Sequence, residues 1–527
     1  MTDQINKIFD LIKQKSLGNA LKASTELVKQ YPNSLNANKV HGYVLMISQK
    51  FNESKEVFIR LQKKVPNDYD ILNNLGFIYL QEEQFSDAEK YLNEAIHMNP
   101  EGLNAYANMA SLMLKTIKYE EALRYYQKYF VLINGEQNYK LEDTTVVLGY
   151  LDTLVALDQK LLAKEKVKIF LQTKFNEELF YYYINLDREA AKPEEINSLV
   201  KHYETTKEDS VLETNRKFGA ILFGAALFYE KTDPMLSEKY YYQGNQIINN
   251  VQRFMPLEYQ RKIKDIKEIY SKYFPLQNAE SEDSKGEGLV FIVGLPRSGT
   301  TLLESIVANN EFTKSGGELM SMMNLCNQIY SDEKGKEEVE KLIINIGDEY
   351  LSRVNSIRGN HKFFIDKLPG NYFNIGFIHA CLPKAKFILI KRNIWDVATS
   401  QFKQYYISNV PYSTKFFNIA IECANFEEIT DFWMQKKFDV YKNIFEVSYE
   451  DLVKSENKVA NEVYDFIGIQ GEYQETGREK FFSRTASRFQ IDKKINQKSV
   501  NKSFFENDKA KFFQDYKNQL EYWQNTL

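Results

Sequence analysis

A short glycine-containing segment carries the clearest chemical signal in the sequence. The run GLPRSGTT, residues 294–301, follows the apolar run LVFIV and precedes the helix-like pattern TLLESIVANN. Gly294 and Gly299 allow the backbone to approach a ligand closely, and the N-terminus of the following helix presents N–H groups and partial positive charge. This order of strand, loop and helix predicts a site for a phosphate or a sulfate.

The charged residue of the loop distinguishes it from the usual nucleotide-binding loop. The spacing from Gly294 to Gly299 matches a Walker A loop, but Thr300 stands where that loop has its lysine. Arg297 lies inside the loop instead, and its planar guanidinium can bind a phosphate or a sulfate through two parallel hydrogen bonds. On its own, the loop also fits a structural turn or a divergent kinase loop.

A second strand–helix unit gives the loop a partner. The segment KFILIKRNIWDVATSQF places Arg392 at the end of a strand and Ser400 eight residues later on the following helix. The two segments together resemble the sulfotransferase family, particularly its tyrosylprotein branch and its bacterial members with tetratricopeptide repeats, over most of residues 289–503. The resemblance implies that the donor is 3′-phosphoadenosine 5′-phosphosulfate (PAPS) and that Arg392 and Ser400 bind its 3′-phosphate. It assigns the 5′ side of the donor to Arg297, Ser298, Gly299, Thr300 and Thr301.

Sulfuryl transfer also needs a base for the acceptor proton and cations for the charge on the leaving oxygen. By the same resemblance, Glu318 in SGGELM, 21 residues after Arg297, is the general base. Lys367 in FFIDKLPGNY assists the sulfuryl group and the bridging oxygen. His361 and His379, the two histidines of this half of the chain, are predicted to be structural.

Three further site residues follow from the resemblance in the C-terminal part of the chain. Tyr449 in EVSYEDLV matches a tyrosine near the adenosine. Ser487 and Lys502, in RTASRFQIDKKINQKSVNKSF, match a serine that stabilises the transition state and a lysine that contacts the donor. This segment departs from the family pattern at positions where the family has proline, glycine and tryptophan: Lys494, Lys498 and Ser503.

The acceptor is the least defined part of the predicted reaction. The motif GGEL has one glutamate where the tyrosylprotein enzymes have two, and Met320 stands where they have an arginine. Gln404 replaces a further donor-binding arginine. The expected acceptor is therefore a hydroxyl group in general, with a protein tyrosine and a glycan as examples.

The first quarter of the chain contains a repeat that sets its fold. Pro32, Pro66 and Pro100 are each 34 residues apart, and small residues such as Gly42 and Gly76 keep the same phase. The segment NLGFIYLQEEQFSDAEKYLNEAIHMNP resembles the tetratricopeptide consensus, which predicts pairs of antiparallel helices stacked into a solenoid. Four such units cover residues 1–136, and the apolar spacing in residues 137–275 predicts more divergent helical hairpins.

These elements combine into a two-part architecture. We expect an α-solenoid of tetratricopeptide repeats over residues 1–275, a polar linker over 276–288, and a sulfotransferase domain over 289–527. The second part is expected to be an α/β domain of the P-loop type with a mostly parallel central sheet. The concave side of a solenoid commonly binds an extended partner, so the repeat domain is expected to hold a peptide or glycan acceptor.

Composition excludes several classes of partner and compartment. The 68 basic and 72 acidic residues give a net charge of −4, which lacks the basic excess of nucleic-acid-binding proteins. The three cysteines follow no metal-ligand or disulfide spacing, and no run of about 18 apolar residues occurs. We therefore expect a cytoplasmic protein with no nucleic-acid partner, no metal and no transmembrane segment.

The predicted function is transfer of a sulfuryl group from PAPS to a hydroxyl acceptor, with 3′-phosphoadenosine 5′-phosphate (PAP) as the product. Two alternatives remain open from the sequence. One is a P-loop nucleotide-dependent kinase, which would need a phosphate-binding lysine and a magnesium-binding acid. The other is a noncatalytic nucleotide-binding repeat scaffold.

Overall fold

The computed structural model describes residues 1–140, 143–205, 212–274, 285–330, 335–406, 410–474 and 504–526. The chain divides into two compact units. The first consists of Met1–Tyr139 with Thr145–Thr153, and the second of Lys140–Thr144 with Leu154–Leu527. None of the helices in the described ranges combines the length and the hydrophobicity that crossing a bilayer requires.

The first unit is built from helical hairpins. Its helices are α1 (Thr2–Lys13), α2 (Leu17–Gln30), α3 (Leu35–Ile47), α4 (Phe51–Lys64), α5 (Tyr69–Gln81), α6 (Phe85–Met98), α7 (Leu103–Lys115) and α8 (Tyr119–Leu132), together with residues 145–153 of α9 (Thr144–Ala156). The 34-residue period reappears in the helix caps. The side chains of Ser34 and Asp68 accept hydrogen bonds from Ala37 N and Ile71 N, at 3.3 and 3.1 Å.

The small residues of the repeat lie where two helices meet. A Cβ atom at Gly76 on α5 would lie 2.6 Å from Cγ of Leu92 on α6, so a larger residue would force the helices apart. The turns inside the hairpins share a further feature, since Gln49, Glu83 and Ile117 all have φ near +60° and are also 34 residues apart. The predicted solenoid of helical repeats is therefore confirmed.

The second unit begins with helices and continues with a sheet. The helices before the sheet are α10 (Lys160–Thr173), α11 (Glu177–Leu186), α12 (Pro193–Thr205), α13 (Leu212–Tyr229), α14 (Pro234–Val251) and α15 (Pro256–Tyr273). Asp158, between α9 and α10, has φ 59°, the same turn conformation as in the clear repeats. Of the predicted linker 276–288, the structure describes only 285–288, which form a turn, and the predicted domain boundaries stay a prediction.

The sheet has five parallel strands in the order β2-β3-β1-β4-β5. They are β1 (Leu289–Gly294), β2 (Thr313–Ser315), β3 (Phe363–Asp366), β4 (Lys386–Lys391) and β5 (Ile444–Ser448). Every residue of β1 is buried, as expected for a central strand covered on both faces. The predicted parallel α/β architecture is confirmed, and the sheet reverses its strand order between β1 and β4, where open α/β sheets bind ligands.

Helices cover this sheet and connect it to the preceding helices. They are α16 (Thr300–Val307), α17 (Ser321–Asn327), α18 (Lys336–Arg358), α19 (Ile375–Cys381), α20 (Ile394–Phe402), α21 (Phe416–Trp433), α22 (Tyr449–Lys454), α23 (Glu456–Ile467) and α24 (Glu506–Thr526). Asn245 on α14 donates a hydrogen bond to the carbonyl oxygen of Phe402 at 2.7 Å. The ring of Tyr270 on α15 lies edge-on to Trp433, with 4.9 Å between the ring centroids. The helices from Leu154 onward thus share one compact unit with the sheet.

The buried imidazole of His379 on α19 makes the second unit sensitive to acid. Burial lowers the pKa of His379 to about 4, although the negative charge of Asp439 acts to raise it. The unfolded chain therefore binds this proton at a higher pH than the folded protein does. Between pH 6.5 and about 4 the free energy of unfolding should fall by about 3 kcal/mol on account of this residue.

Urea unfolding, followed by tryptophan fluorescence at several pH values, measures this loss, since all three tryptophans lie in the second unit. His379→Gln should weaken the pH dependence, whereas His361→Gln, which changes an exposed histidine, should leave it intact. An identical pH dependence in wild type and His379→Gln would contradict the prediction.

Candidate active site

The two predicted donor-binding segments lie side by side at one edge of the sheet. Gly294, the last residue of β1, pairs with Ile390 of β4, so the loop after β1 is adjacent to the loop after β4. Parallel strands end at the same edge, which brings Arg297 and Arg392 together although 95 residues separate them.

The conformation of the first loop depends on one glycine. Arg297 and Gly299 both have left-handed backbone angles, with φ 72° and 105°. A Cβ atom at Gly299 would also lie 2.4 Å from the ring of Tyr449. Any other residue would therefore strain the backbone and collide with this ring. Helix α16 begins directly afterwards with the buried residues Thr300 and Thr301.

A buried hydroxyl in the loop has no partner within the described part of the chain. Ser298 is 1% exposed, and its Oγ atom makes no hydrogen bond to any described residue. Buried polar atoms without partners are uncommon in folded proteins because they lose hydration without compensation. This hydroxyl, at the N-terminus of α16, is therefore suited to a bound anion.

The two arginines form a connected cluster with Ser400 and Tyr449. Arg297 donates from Nε to Oγ of Ser400 at 3.0 Å, and Arg392 donates from a terminal nitrogen to the carbonyl oxygen of Arg297 at 3.1 Å. The Arg392 guanidinium lies over the Tyr449 ring, with Cζ 4.3 Å from its centroid. Desolvation lowers the pKa of Arg297, and the positive charge of Arg392 acts in the same direction. Within the described ranges no carboxylate lies at ion-pair distance from Arg392, so the guanidinium of Arg392 offers positive charge to a ligand.

The predicted base and lysine form a second cluster. Nζ of Lys367 lies 2.6 Å from Oε1 of Glu318 and 3.5 Å from Oε2 of Glu304. Lys367 and Glu304 are almost completely buried, whereas the Glu318 side chain is 37% exposed. Burial alone would lower the pKa of Lys367, but the two carboxylates outweigh it and the pKa is raised. Lys367 therefore stays positively charged, and Glu318 is the member of the cluster that solvent reaches.

Backbone hydrogen bonds hold the Glu318 loop against the end of β3. Lys367 N donates to the Gly317 carbonyl oxygen at 2.9 Å, and Gly316 N donates to the Ile365 carbonyl oxygen at 2.8 Å. Gly317 N donates to Oγ of Ser315 at 3.0 Å. The backbone that leads into Glu318 is thus tied to β2 and to the end of β3.

Tyr406 lies near both clusters. Burial raises the pKa of its hydroxyl, while the charge of Arg297 lowers it and that of Glu318 raises it. Its OH group makes no hydrogen bond to any residue that the structure describes. Glu304, on the helix that begins at the Arg297 loop, lies 3.5 Å from Lys367, so the arginines and the Glu318–Lys367 pair belong to one region of the second unit.

Sequence reasoning missed several residues of this region. Gln401 donates from Nε2 to the Pro296 carbonyl oxygen at 2.9 Å and so holds the first loop to α20. Glu304 and Tyr406 were also missed, although Glu304 lies a few residues after the loop, on helix α16. A single charged residue in the otherwise uncharged helix TTLLESIV is the signal that could have pointed to Glu304.

The remaining predicted positions lie outside the described residues or contact other parts of the second unit. Ser487 and Lys502 lie in residues 475–503, outside the described residues, as do Lys494, Lys498 and Ser503. Gln404 donates from Nε2 to the hydroxyl of Tyr181 on α11, at 3.1 Å, and not to the arginine cluster. Among the described residues, no group of three or more acidic, histidine or cysteine side chains is arranged to hold a metal ion.

Comparison with known proteins gives two family matches. Residues 290–475 match the model described as "Sulfotransferase family", and residues 3–139 match the model of the N-terminal TPR repeats region of psidin. The second unit thus contains a sulfotransferase-family domain, and the first contains tetratricopeptide repeats, as predicted. The more specific likeness to tyrosylprotein sulfotransferases stays a prediction.

Individual relatives cover only part of the chain. An uncharacterized protein of Aquifex aeolicus (strain VF5) is 30% identical over 235 residues, which is 40% of this chain and 30% of that protein. The sulfotransferase domain from the curacin biosynthetic pathway is 18% identical, with a TM-score of 0.28, and covers 43% of this chain and 92% of its own. Pseudomonas aeruginosa pilF is 18% identical, with a TM-score of 0.31, and its match covers 40% of this chain and 92% of its own. Both TM-scores are low, so neither likeness establishes a function here.

Proposed function

We propose that this chain, which carries a sulfotransferase-family domain over residues 290–475, transfers a sulfuryl group from PAPS to a hydroxyl acceptor and releases PAP. One observation carries the proposal: two arginines and a buried serine hydroxyl, which has no hydrogen-bond partner among the described residues, lie at the sheet edge in the same region as a Lys–Glu pair. The first group suits a nucleotide with several phosphate or sulfate groups, and the second suits proton transfer.

The donor-binding roles follow from the positions of the side chains. Residues Arg297 to Thr301 would hold the 5′ side through the loop backbone, the Ser298 hydroxyl and the start of α16. Arg392 and Ser400 would bind the 3′-phosphate, and the Tyr449 ring would lie near the adenosine. Ser487 and Lys502 are proposed for the transition state and the donor on the basis of the family resemblance alone.

The transfer step uses Glu318 and Lys367. The acceptor oxygen forms a bond to sulfur while the bond from sulfur to the bridging oxygen breaks. The electron pair of the broken bond stays on the bridging oxygen, which becomes part of the 5′-phosphate of PAP. Glu318 takes the acceptor proton, and the Lys367 ammonium stabilises the charge on the bridging oxygen. Because Lys367 contacts Glu318 before reaction, its movement toward the donor would also release the base.

The tetratricopeptide repeats support a large or extended acceptor. Such repeats commonly bind peptides or other extended partners along a stacked helical surface. We therefore propose an acceptor hydroxyl on a peptide or glycan held by the repeat domain. We also propose that the protein works in the cytoplasm, because its three cysteines are free, as is usual in a reducing compartment.

Calorimetric titration with PAP, ADP and ATP, without added metal, tests the proposal. Tight binding of PAP with clear preference over ADP would support a PAPS-dependent enzyme, because only PAP carries the 3′-phosphate. Equal or absent binding of PAP would reject it. In a separate assay with added magnesium, binding and hydrolysis of ATP would instead favour the kinase, which Thr300 in place of the loop lysine opposes. Donor binding without transfer to any acceptor would favour the scaffold.

Arg392→Ala should weaken PAP binding by about 10- to 100-fold, since it removes a charged hydrogen-bond donor from the proposed 3′-phosphate site. ADP binding should change much less, so the preference for PAP should disappear. The same titration measures both values. Lys391→Ala is a matched control because Lys391 is the neighbouring cation and pairs with Glu446 at 2.8 Å. Undiminished PAP preference in Arg392→Ala would contradict the assignment.

A further inference from the structure

Lys367 contacts a second carboxylate that the proposed reaction does not use. Oε2 of Glu304 lies 3.5 Å from Nζ of Lys367, and both side chains are buried. Glu318 is closer, at 2.6 Å, but is partly exposed. The lysine therefore has one carboxylate partner inside the protein and one that faces the solvent.

Hydrogen bonds hold Glu304 in place independently of Glu318. Ser315 donates from Oγ to Oε1 of Glu304 at 2.6 Å, and the same Oγ accepts a hydrogen bond from Gly317 N at 3.0 Å. Glu304 lies on α16, the helix that begins at the donor-binding loop, while Ser315 lies on β2. Glu304 thus connects the helix of the loop, the strand before the base and the lysine.

We propose that Glu304 is a positioning residue: it keeps the Lys367 ammonium oriented and charge-compensated while the ammonium turns from Glu318 to the bridging oxygen and Glu318 takes the acceptor proton. This inference rests on the proposed function. A buried ammonium with a single carboxylate partner would hold that partner firmly, because separating them leaves an uncompensated buried charge. With Glu304 as a permanent counter-charge, Lys367 can leave Glu318 for the bridging oxygen, and Glu318 becomes available as the base.

Hydrolysis of PAPS gives a test that needs no identified acceptor. Water takes the place of the acceptor: its oxygen forms the bond to sulfur, its proton goes to Glu318, and sulfate and PAP are released. In Glu304→Gln we expect the rate constant of this hydrolysis to fall by about 10- to 100-fold, because misplacement of a catalytic group costs this much. PAP affinity should be unchanged within error, and Glu304→Asp should recover part of the rate.

A double-mutant cycle separates positioning from a general effect on the fold. Glu304 acts through Lys367, so Glu304→Gln should lower the hydrolysis rate in the wild-type background but not further in the Lys367→Met background. If the double variant lost hydrolysis rate by the product of the two separate losses, the proposal would be overturned. Glu230→Gln is the matched control: it also removes a buried carboxylate of the second unit, one that pairs with Arg188 and Lys403, and it should leave the hydrolysis rate of folded protein intact.

The outcomes distinguish this inference from the proposed function. If wild type shows neither PAP-selective binding nor PAPS hydrolysis, both fail. If wild type shows both and Glu304→Gln hydrolyses PAPS at the wild-type rate, only the role of Glu304 is overturned. Should Glu304→Gln not fold, Ser315→Ala replaces it, since it removes the hydroxyl that holds Glu304. Because the same hydroxyl also accepts from Gly317 N beside Glu318, support requires that Ser315→Ala lower the hydrolysis rate in the wild-type background but not in the Lys367→Met background. An unchanged rate in the wild-type background would overturn the role.

Discussion

Replacing Glu318 by glutamine is expected to lower the turnover of PAPS by about 100- to 10,000-fold, the usual contribution of a general base. Glutamine keeps the shape of the side chain but cannot take the acceptor proton at neutral pH. The binding of PAP should not weaken, because the arginines and the loop after β1 remain in place. Release of labelled sulfate from PAPS measures turnover, and calorimetry with PAP measures binding.

Glu311→Gln is a suitable control for this experiment. Glu311 is an exposed glutamate a few residues before Glu318, and it pairs with no described lysine or arginine. The control should bind PAP and turn over PAPS as the wild type does. Wild-type turnover in Glu318→Gln would remove Glu318 as the base. Parallel loss of turnover and PAP binding would show that Glu318 is needed for the structure of the site.

Lys367→Met is expected to destabilise the second unit by about 3–5 kcal/mol, the typical effect of removing one partner from a buried ion pair. The substitution leaves the almost fully buried Glu304 carboxylate without its lysine and brings no new cation. It also removes the proposed stabilisation of the bridging oxygen, so turnover should fall as well. Urea unfolding followed by tryptophan fluorescence measures the stability of this unit.

Two variants make the result specific to the charge pair. Lys362→Met changes an exposed lysine just before β3 and should leave stability nearly unchanged. Adding Glu304→Gln to Lys367→Met should restore part of the lost stability, because it removes the buried carboxylate that has lost its lysine. Equal stability of Lys367→Met and wild type would contradict the ion-pair geometry, and a double variant less stable than Lys367→Met would contradict the explanation.

Local sequence patterns were sufficient to predict the helical repeats, the buried strand β1 and the loop between β1 and α16. The 34-residue spacing of Pro32, Pro66 and Pro100 predicted the helical repeats, because each repeat follows its own short-range pattern of turns and small residues. The run LVFIV before GLPRSGTT likewise predicted a buried strand and an anion-binding loop. These features depend on neighbours in the chain, and for that reason they could be recognised without the fold.

The contacts that give the site its chemistry depend on the sheet. Glu304, Glu318 and Lys367 lie on or beside three separate elements, and nothing in their spacing predicts that Glu304 and Glu318 share one ammonium. Strand β3 pairs with both β1 and β2, so the segments that follow these strands meet at one edge. Long-range packing also places the helices after Leu154 in one compact unit with the sheet. The sequence could not predict this, because the apolar face of a helix does not specify which surface will bury it.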